Sequence, residues 1–154
     1  MTDKSVETIE SLVEKLSLSA VTFYQVGATL HEEEVDEGTD ESVDSGLETM
    51  FKVRTRHKKN EFGTRFRVEV SSIYGEAVVD VACEYESEEP LRIPRDVAHV
   101  FINQVAVMQA FPYIRESIMT TTARILPVPI LLPVVKRGEL EFELQGGPEV
   151  SEGL

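Results

Sequence analysis

The chain has 154 residues, 42% of them hydrophobic and 28% charged, a mix that suits one globular domain and excludes a disordered chain. With 15 Lys and Arg against 28 Asp and Glu, the formal net charge is −13, which repels nucleic-acid phosphates unless basic residues cluster locally. Cys83 is the only cysteine, so an internal disulfide and a Cys-x-x-Cys zinc site are both excluded.

Residues 1–17 hold no basic stretch followed by an apolar run, so no secretory signal is read there. The same span reads as a short helix over 3–17, with Val6, Ile9, Val13 and Leu16 on one stripe and Asp3 or Ser5 as the cap. Residues 18–30 read as a strand. Leu18, Ala20, Tyr24, Val26, Ala28 and Leu30 share one face and Val21 and Phe23 the other, so something covers each side over part of its length. Residues 31–48 then form an acidic mobile loop, in which Glu32, Glu33, Glu34, Asp36, Glu37, Asp40, Glu41, Asp44 and Glu48 meet no Lys or Arg. Without these nine acids the balance of the chain falls from −13 to −4, so the acidity is concentrated in one segment.

Three further strands follow. Residues 50–59 place Phe51 and Val53 opposite Lys52, Arg54, Arg56 and Lys58, and residues 65–73 place Phe66, Val68 and Val70 opposite Arg65, Arg67 and Glu69. Asn60-Glu61-Phe62-Gly63 has hairpin chemistry, and Tyr74-Gly75-Glu76 makes the next turn. Residues 77–85 put Ala77, Val79, Val81, Cys83 and Tyr85 on one face, with Val78, Asp80, Ala82 and Glu84 on the other. The four strands are expected as an antiparallel meander. From Pro94 the apolar period becomes helical through Val97, Val100, Phe101, Val105 and Met108, and continues through Ile114, Ile118 and Met119 to Ile125. Pro112 is expected to end or kink that helix, since it lacks an N–H and crowds the preceding turn. Pro127, Pro129 and Pro133 hold the apolar residues 125–135 extended, and that run is too short to cross a bilayer. Residues 139–144 alternate as a short strand, and 146–154 form a disordered tail. The reading is one α+β domain over 1–145, soluble and cytoplasmic, without direct membrane insertion.

No catalytic constellation emerges. There is no glycine-rich phosphate loop, Gly-x-Ser-x-Gly or His-Glu-x-x-His, and His31, His57 and His99 lie in three segments without ligand spacing. The chain is therefore not read as an enzyme, and no cofactor or metal is expected. Lys52, Arg54, Arg56, Lys58, Arg65 and Arg67 form a basic hairpin face. It is either a solvated sheet face paired with nearby acids or a surface attractive to acidic polypeptide; no aromatic side chains interleave the basic ones to stack on bases, so nucleic acid is not expected.

Phe111-Pro112-Tyr113-Ile114-Arg115-Glu116, then Arg124, then the proline-rich apolar run ending in Pro133-Val134, resembles the SecB protein-export chaperones. Cys83-Glu84 resembles the end of that family's fourth strand, and the order of four strands before a long helix agrees with it independently. The resemblance spans about residues 18–134, mainly through the last third.

This resemblance implies a homotetramer, a dimer of dimers, that holds unfolded polypeptides in apolar surface grooves without nucleotide. It assigns client binding to Ile125, Leu126, Val128, Ile130, Leu131, Leu132, Val134 and Phe23, and oligomer contacts to helix residues Phe101, Val105, Met108, Tyr113 and Ile118. The alternative for the proline-rich run is simple packing on its own sheet. Docking of the translocase motor SecA is implied through Glu84, with Asp80 on the same face. The chain departs from the family in carrying Ser19, Thr22 and Gln25 where the first strand has acids. It also has an added N-terminal helix, and the strand-like 139–144 where the family has a last helix. The variant reading is a SecB-like protein dedicated to one partner, such as an antitoxin.

Overall fold

The structure, a computed structural model, describes residues 4–5, 8–32 and 47–133. The expected strand at 139–144, the tail, and most of the acidic loop lie outside them, as does Val134. In chain order the elements are β1 (Lys4–Ser5), α1 (Ile9–Lys15), β2 (Ser17–Leu30), β3 (Glu48–Lys58), β4 (Glu61–Ser71), β5 (Gly75–Glu86) and β6 (Leu91–Arg92). A continuous helix from Arg95 to Ile125 follows, built of α2 (Arg95–Phe101), a π-helical turn at Ile102–Ala106, and α3 (Val107–Ile125). The architecture is α+β, with one antiparallel four-stranded sheet and the long helix packed across one of its faces.

The sheet order is β2-β5-β4-β3, which corrects the expected meander. Only β3, β4 and β5 follow one another through hairpins, while β2 lies beside β5 in a Greek-key arrangement. Alternation within a strand says which face is apolar but not which neighbour it pairs with. The long connection at residues 31–47 lets β3 start at the far edge. The β3–β4 hairpin also turns earlier than the expected Asn60–Gly63, because Lys58 pairs directly with Glu61. Its loop is Lys59-Asn60, with Lys59 in the left-handed region at φ 51, as a tight two-residue hairpin requires. Phe62 therefore belongs to β4 and is fully buried.

Two bulges in β2, between Leu18 and Ala20 and between Phe23 and Gln25, reset its alternation. Directly opposed residues share a face, so Val21 opposite Cys83 and Phe23 opposite Val81 point to the helix side. Ala20, opposite Glu84, points to the other, and so does Tyr24, whose ring lies under Arg65. Ala20 and Tyr24 are thus separated from Val21 and Phe23 as expected. Leu18, Val26 and Ala28, expected beside Ala20 and Tyr24, instead lie opposite Tyr85, Val79 and Ala77 on the helix side with Val21 and Phe23.

The core fills the space between sheet and helix with Phe62, Phe66, Val68, Val79 and Val81 against Phe101, Ile102, Ala110, Ile114 and Ile118. Phe62 and Tyr85 both meet the Phe101 ring edge to face, at 5.8 and 5.0 Å. Such aromatic pairs add about 0.5–1.5 kcal/mol each beyond the area buried. The Tyr85 hydroxyl donates to Gln109 on the helix. By length and composition the helix from Arg95 to Ile125 would span a bilayer, yet 56% of its most apolar window is buried, as in a core helix.

Pro112 does not end the helix, which runs on to Ile125, with the π turn about two to three turns upstream of it. The N-terminal helix is shorter than expected. Thr8 caps it by accepting from the Ser11 N–H, in place of Asp3 or Ser5. Its buried stripe is Ile9, Leu12 and Leu16, while Val13 is exposed. The preceding Lys4–Ser5 pairs in parallel with Leu91–Arg92.

Candidate functional site

The helix ends where Leu126 turns extended, and its N–H closes the last turn on the Thr122 carbonyl at 2.8 Å. Pro127, Pro129 and Pro133 have no N–H to offer a sheet, so this segment needs other anchors. Two side chains of α3 supply them. The Thr122 hydroxyl accepts from the Ile130 N–H at 2.8 Å and donates to the Ile118 carbonyl at 2.6 Å. Arg115 Nε donates to the Leu132 carbonyl at 2.7 Å. The connector therefore runs back along α3, antiparallel to it.

Anchoring divides the expected client-binding residues into two sets. Leu126, Ile130 and Leu132 are buried in the core. Ile125, Val128 and Leu131 face solvent, at 43%, 53% and 54% exposure. Leu126 sits on Gly75, where a Cβ would fall 2.5 Å from the leucine and 2.2 Å from the Thr29 carbonyl; a side chain there is excluded by both. Phe23 is also exposed and meets the Tyr113 ring edge-on at 6.3 Å. The same edge strand exposes Val26 and Leu30, and α3 exposes Met119. These last three, and Tyr113 as a surface partner of Phe23, escaped the sequence reading. The signal available was the apolar character of both faces of β2, but the bulges hid which residues belonged together.

Of the helix residues expected at an oligomer contact, Phe101 and Ile118 lie in the chain's own core. Val105 and Met108 are half-buried against that core, and Tyr113 is the exposed one.

The opposite face of the sheet is polar and organised around Asp80, which is 3% exposed. Arg65 holds it with two bonds, Nε to Oδ1 at 2.7 Å and a terminal nitrogen to Oδ2 at 2.9 Å, and Arg67 adds a third at 3.3 Å. These bonds, the Arg65 fork first, hold the Asp80 carboxyl below the usual carboxylate range although burial opposes them. Arg67 also donates to Glu69 at 3.0 Å and to Gln25 at 2.8 Å, and the Arg65 guanidinium lies 3.9 Å over the Tyr24 ring. Glu84 accepts from the Thr22 hydroxyl at 3.2 Å and faces Arg56 at 3.8 Å. Both acids expected at a motor-docking surface are thus engaged within the chain. Cys83 lies in the core, where burial raises its thiol to about 11.

A protein of Mycolicibacterium smegmatis, the SecB-like chaperone SmegB, is 26% identical to this chain over 137 residues, covering 88% of this chain and 86% of the relative. Among solved structures, the Mycobacterium tuberculosis SecB-like chaperone Rv1957, in complex with a ChAD peptide from the Rv1956 HigA1 antitoxin, matches with a TM-score of 0.64. In sequence and in fold the chain is similar to the SecB-like chaperones. At 15% identity, with 82% of this chain and 94% of Rv1957 covered, that second match speaks for the fold. No protein-family model matches the chain. The SecB-like sheet and helix order is the one that puts β2, α3 and the proline-rich connector side by side.

Proposed function

We propose that this protein is a cytoplasmic, nucleotide-independent holding chaperone, assembled as a homotetramer, that binds non-native polypeptide on the apolar surface of β2, α3 and the connector. The observation that carries the reading is the set of large apolar side chains left in solvent there: Phe23, Tyr113, Ile125, Val128 and Leu131. A surface of this kind accepts extended chains of varied sequence, because apolar contact makes little demand on side-chain identity. No catalytic chemistry is assigned. Light scattering of a denatured client tests the proposal: stoichiometric protein suppresses aggregation, and Leu131→Asp raises the amount needed about tenfold, as a lost leucine contact of ~1.5 kcal/mol would. Unchanged aggregation with the wild-type protein refutes it, and a monomeric mass in solution refutes the assembly.

A second reading is favoured by the ChAD peptide in the Rv1957 complex. On this reading the same surface serves one partner, such as an antitoxin, and does not serve export. Engagement of Asp80 and Glu84 within the chain, and the neutral Ser19, Thr22 and Gln25 on β2, argue against SecA docking on this sheet face. One stoichiometric co-purifying partner, with no effect on unrelated aggregating proteins, would distinguish this reading from general holding.

A further inference from the structure

The sheet face opposite the helix carries an arrangement that folding alone disfavours. In the β3–β4 register Lys52 lies directly opposite Arg67, and Arg54 directly opposite Arg65, so two adjacent cross-strand pairs are like-charged. Each such pair costs stability where an opposite-charge pair would add it. Two acids pair with these four cations: Asp80, shared by Arg65 and Arg67, and Glu69, which Arg67 meets at 3.0 Å. Within the described residues the Lys52 and Arg54 side chains make no ion pair or hydrogen bond, and both residues are exposed. An open hollow of about 240 Å³ lies among Lys52, Arg54, Arg65, Arg67 and Asp80. The arginines are held in place from below, by Asp80 and, for Arg65, by the Tyr24 ring. Their remaining N–H groups are therefore pre-positioned to receive a further acceptor.

We infer that this face docks an acidic segment of a polypeptide partner, whose carboxylates complete the charge pairing that Asp80 and Glu69 leave half made. Alternate residues of β3 set Lys52, Arg54 and Arg56 about 7 Å apart, the repeat at which alternate side chains of an extended peptide fall. Polypeptide is favoured over nucleic acid on two grounds. Tyr24 already lies against Arg65 and gives no free stacking platform, and Glu61, Glu69 and Glu84 on the same face would repel a continuous phosphate backbone while leaving room for a few carboxylates. The surface is separate from the apolar one, on the other side of the sheet.

Fluorescence anisotropy with a labelled glutamate–serine peptide tests the inference on the full chain, beside a lysine–serine peptide and an oligothymidylate of matched charge. The acidic peptide should bind at about 50 mM salt and weaken at about 300 mM, as exposed charge pairs do. The Lys52→Glu/Arg54→Glu protein should bind it at least about tenfold more weakly, with an unchanged melting temperature or a higher one, since the variant relieves two like-charge pairs. Leu131→Asp, on the apolar surface, should bind it as the wild type does. Absence of binding by the acidic peptide, equal binding by the charge-reversed protein, or tighter binding of the oligothymidylate would each overturn the inference.

Discussion

Thr122 is the residue through which the helix holds the connector, and Thr122→Val isolates that role because it removes the hydroxyl and leaves the shape. Thr122 is fully buried, and its oxygen is the acceptor for the Ile130 N–H at 2.8 Å. In the variant that N–H, next to a core isoleucine, stays buried without a partner and cannot recruit water. The Ile118 carbonyl loses its second donor too. An orphaned buried amide costs about 1–3 kcal/mol, so urea unfolding should show a loss in that range and thermal unfolding a drop of roughly 3–9 °C. Hydrogen exchange locates the effect: the Ile130 amide should lose protection, while amides of β4 and β5 keep theirs relative to the new global stability. Since the connector carries Val128 and Leu131, its loosening should also weaken aggregation suppression beyond what the change in stability explains. A stability change below about 0.5 kcal/mol, with the Ile130 amide as slow as in the wild type, would refute the clamp.

Gly75→Ala should destabilise the protein by about 2 kcal/mol or more in urea unfolding, because the new Cβ meets the rigid Thr29 carbonyl at 2.2 Å; a near-neutral result would mean that β2 yields easily there. Asp80→Asn should cost about 1–3 kcal/mol at neutral pH by leaving Arg65 and Arg67 without their shared carboxylate. Because the folded pKa of Asp80 is depressed, its contribution is complete above the unfolded value near 4 and is lost as pH falls through the lower folded value. The gap between wild type and variant should therefore stay level from pH 7 to about 5 and close below it; a gap that does not change with pH would exclude the ion pair as the cause. Cys83 should react with a thiol reagent at pH 8 only as fast as the protein opens, since burial holds the thiol near 11; immediate stoichiometric labelling of the native protein would contradict its place in the core.

The apolar surface was legible in part. The prolines at 127, 129 and 133 announced an extended connector, and its apolar content announced a sticky one. Composition cannot say which side of such a segment faces inward, and the answer came from two side chains of another element, Thr122 and Arg115. The basic face was legible from alternation in β3 and β4, but Asp80 as its organising acid was not. That role depends on β5 lying beside β4, with Asp80 directly opposite Arg67.

What the sequence determined by itself was local: four strands from their period-two alternation, the long helix from its three-and-four spacing, and the extended connector from its prolines. The SecB resemblance was also legible there, in residues 111–116 and the proline-rich run. Each of these depends on residues a few positions apart, whose sterics and hydrogen bonding act on neighbouring backbone. The tertiary structure alone decided the sheet order, the phase of β2 after its two bulges, and the division of the connector into buried and exposed sets. These are settled by packing and pairing between segments far apart in the chain. There the winning arrangement is the one that buries most apolar surface without orphaning a backbone group, a sum over the whole fold that no short window of sequence contains.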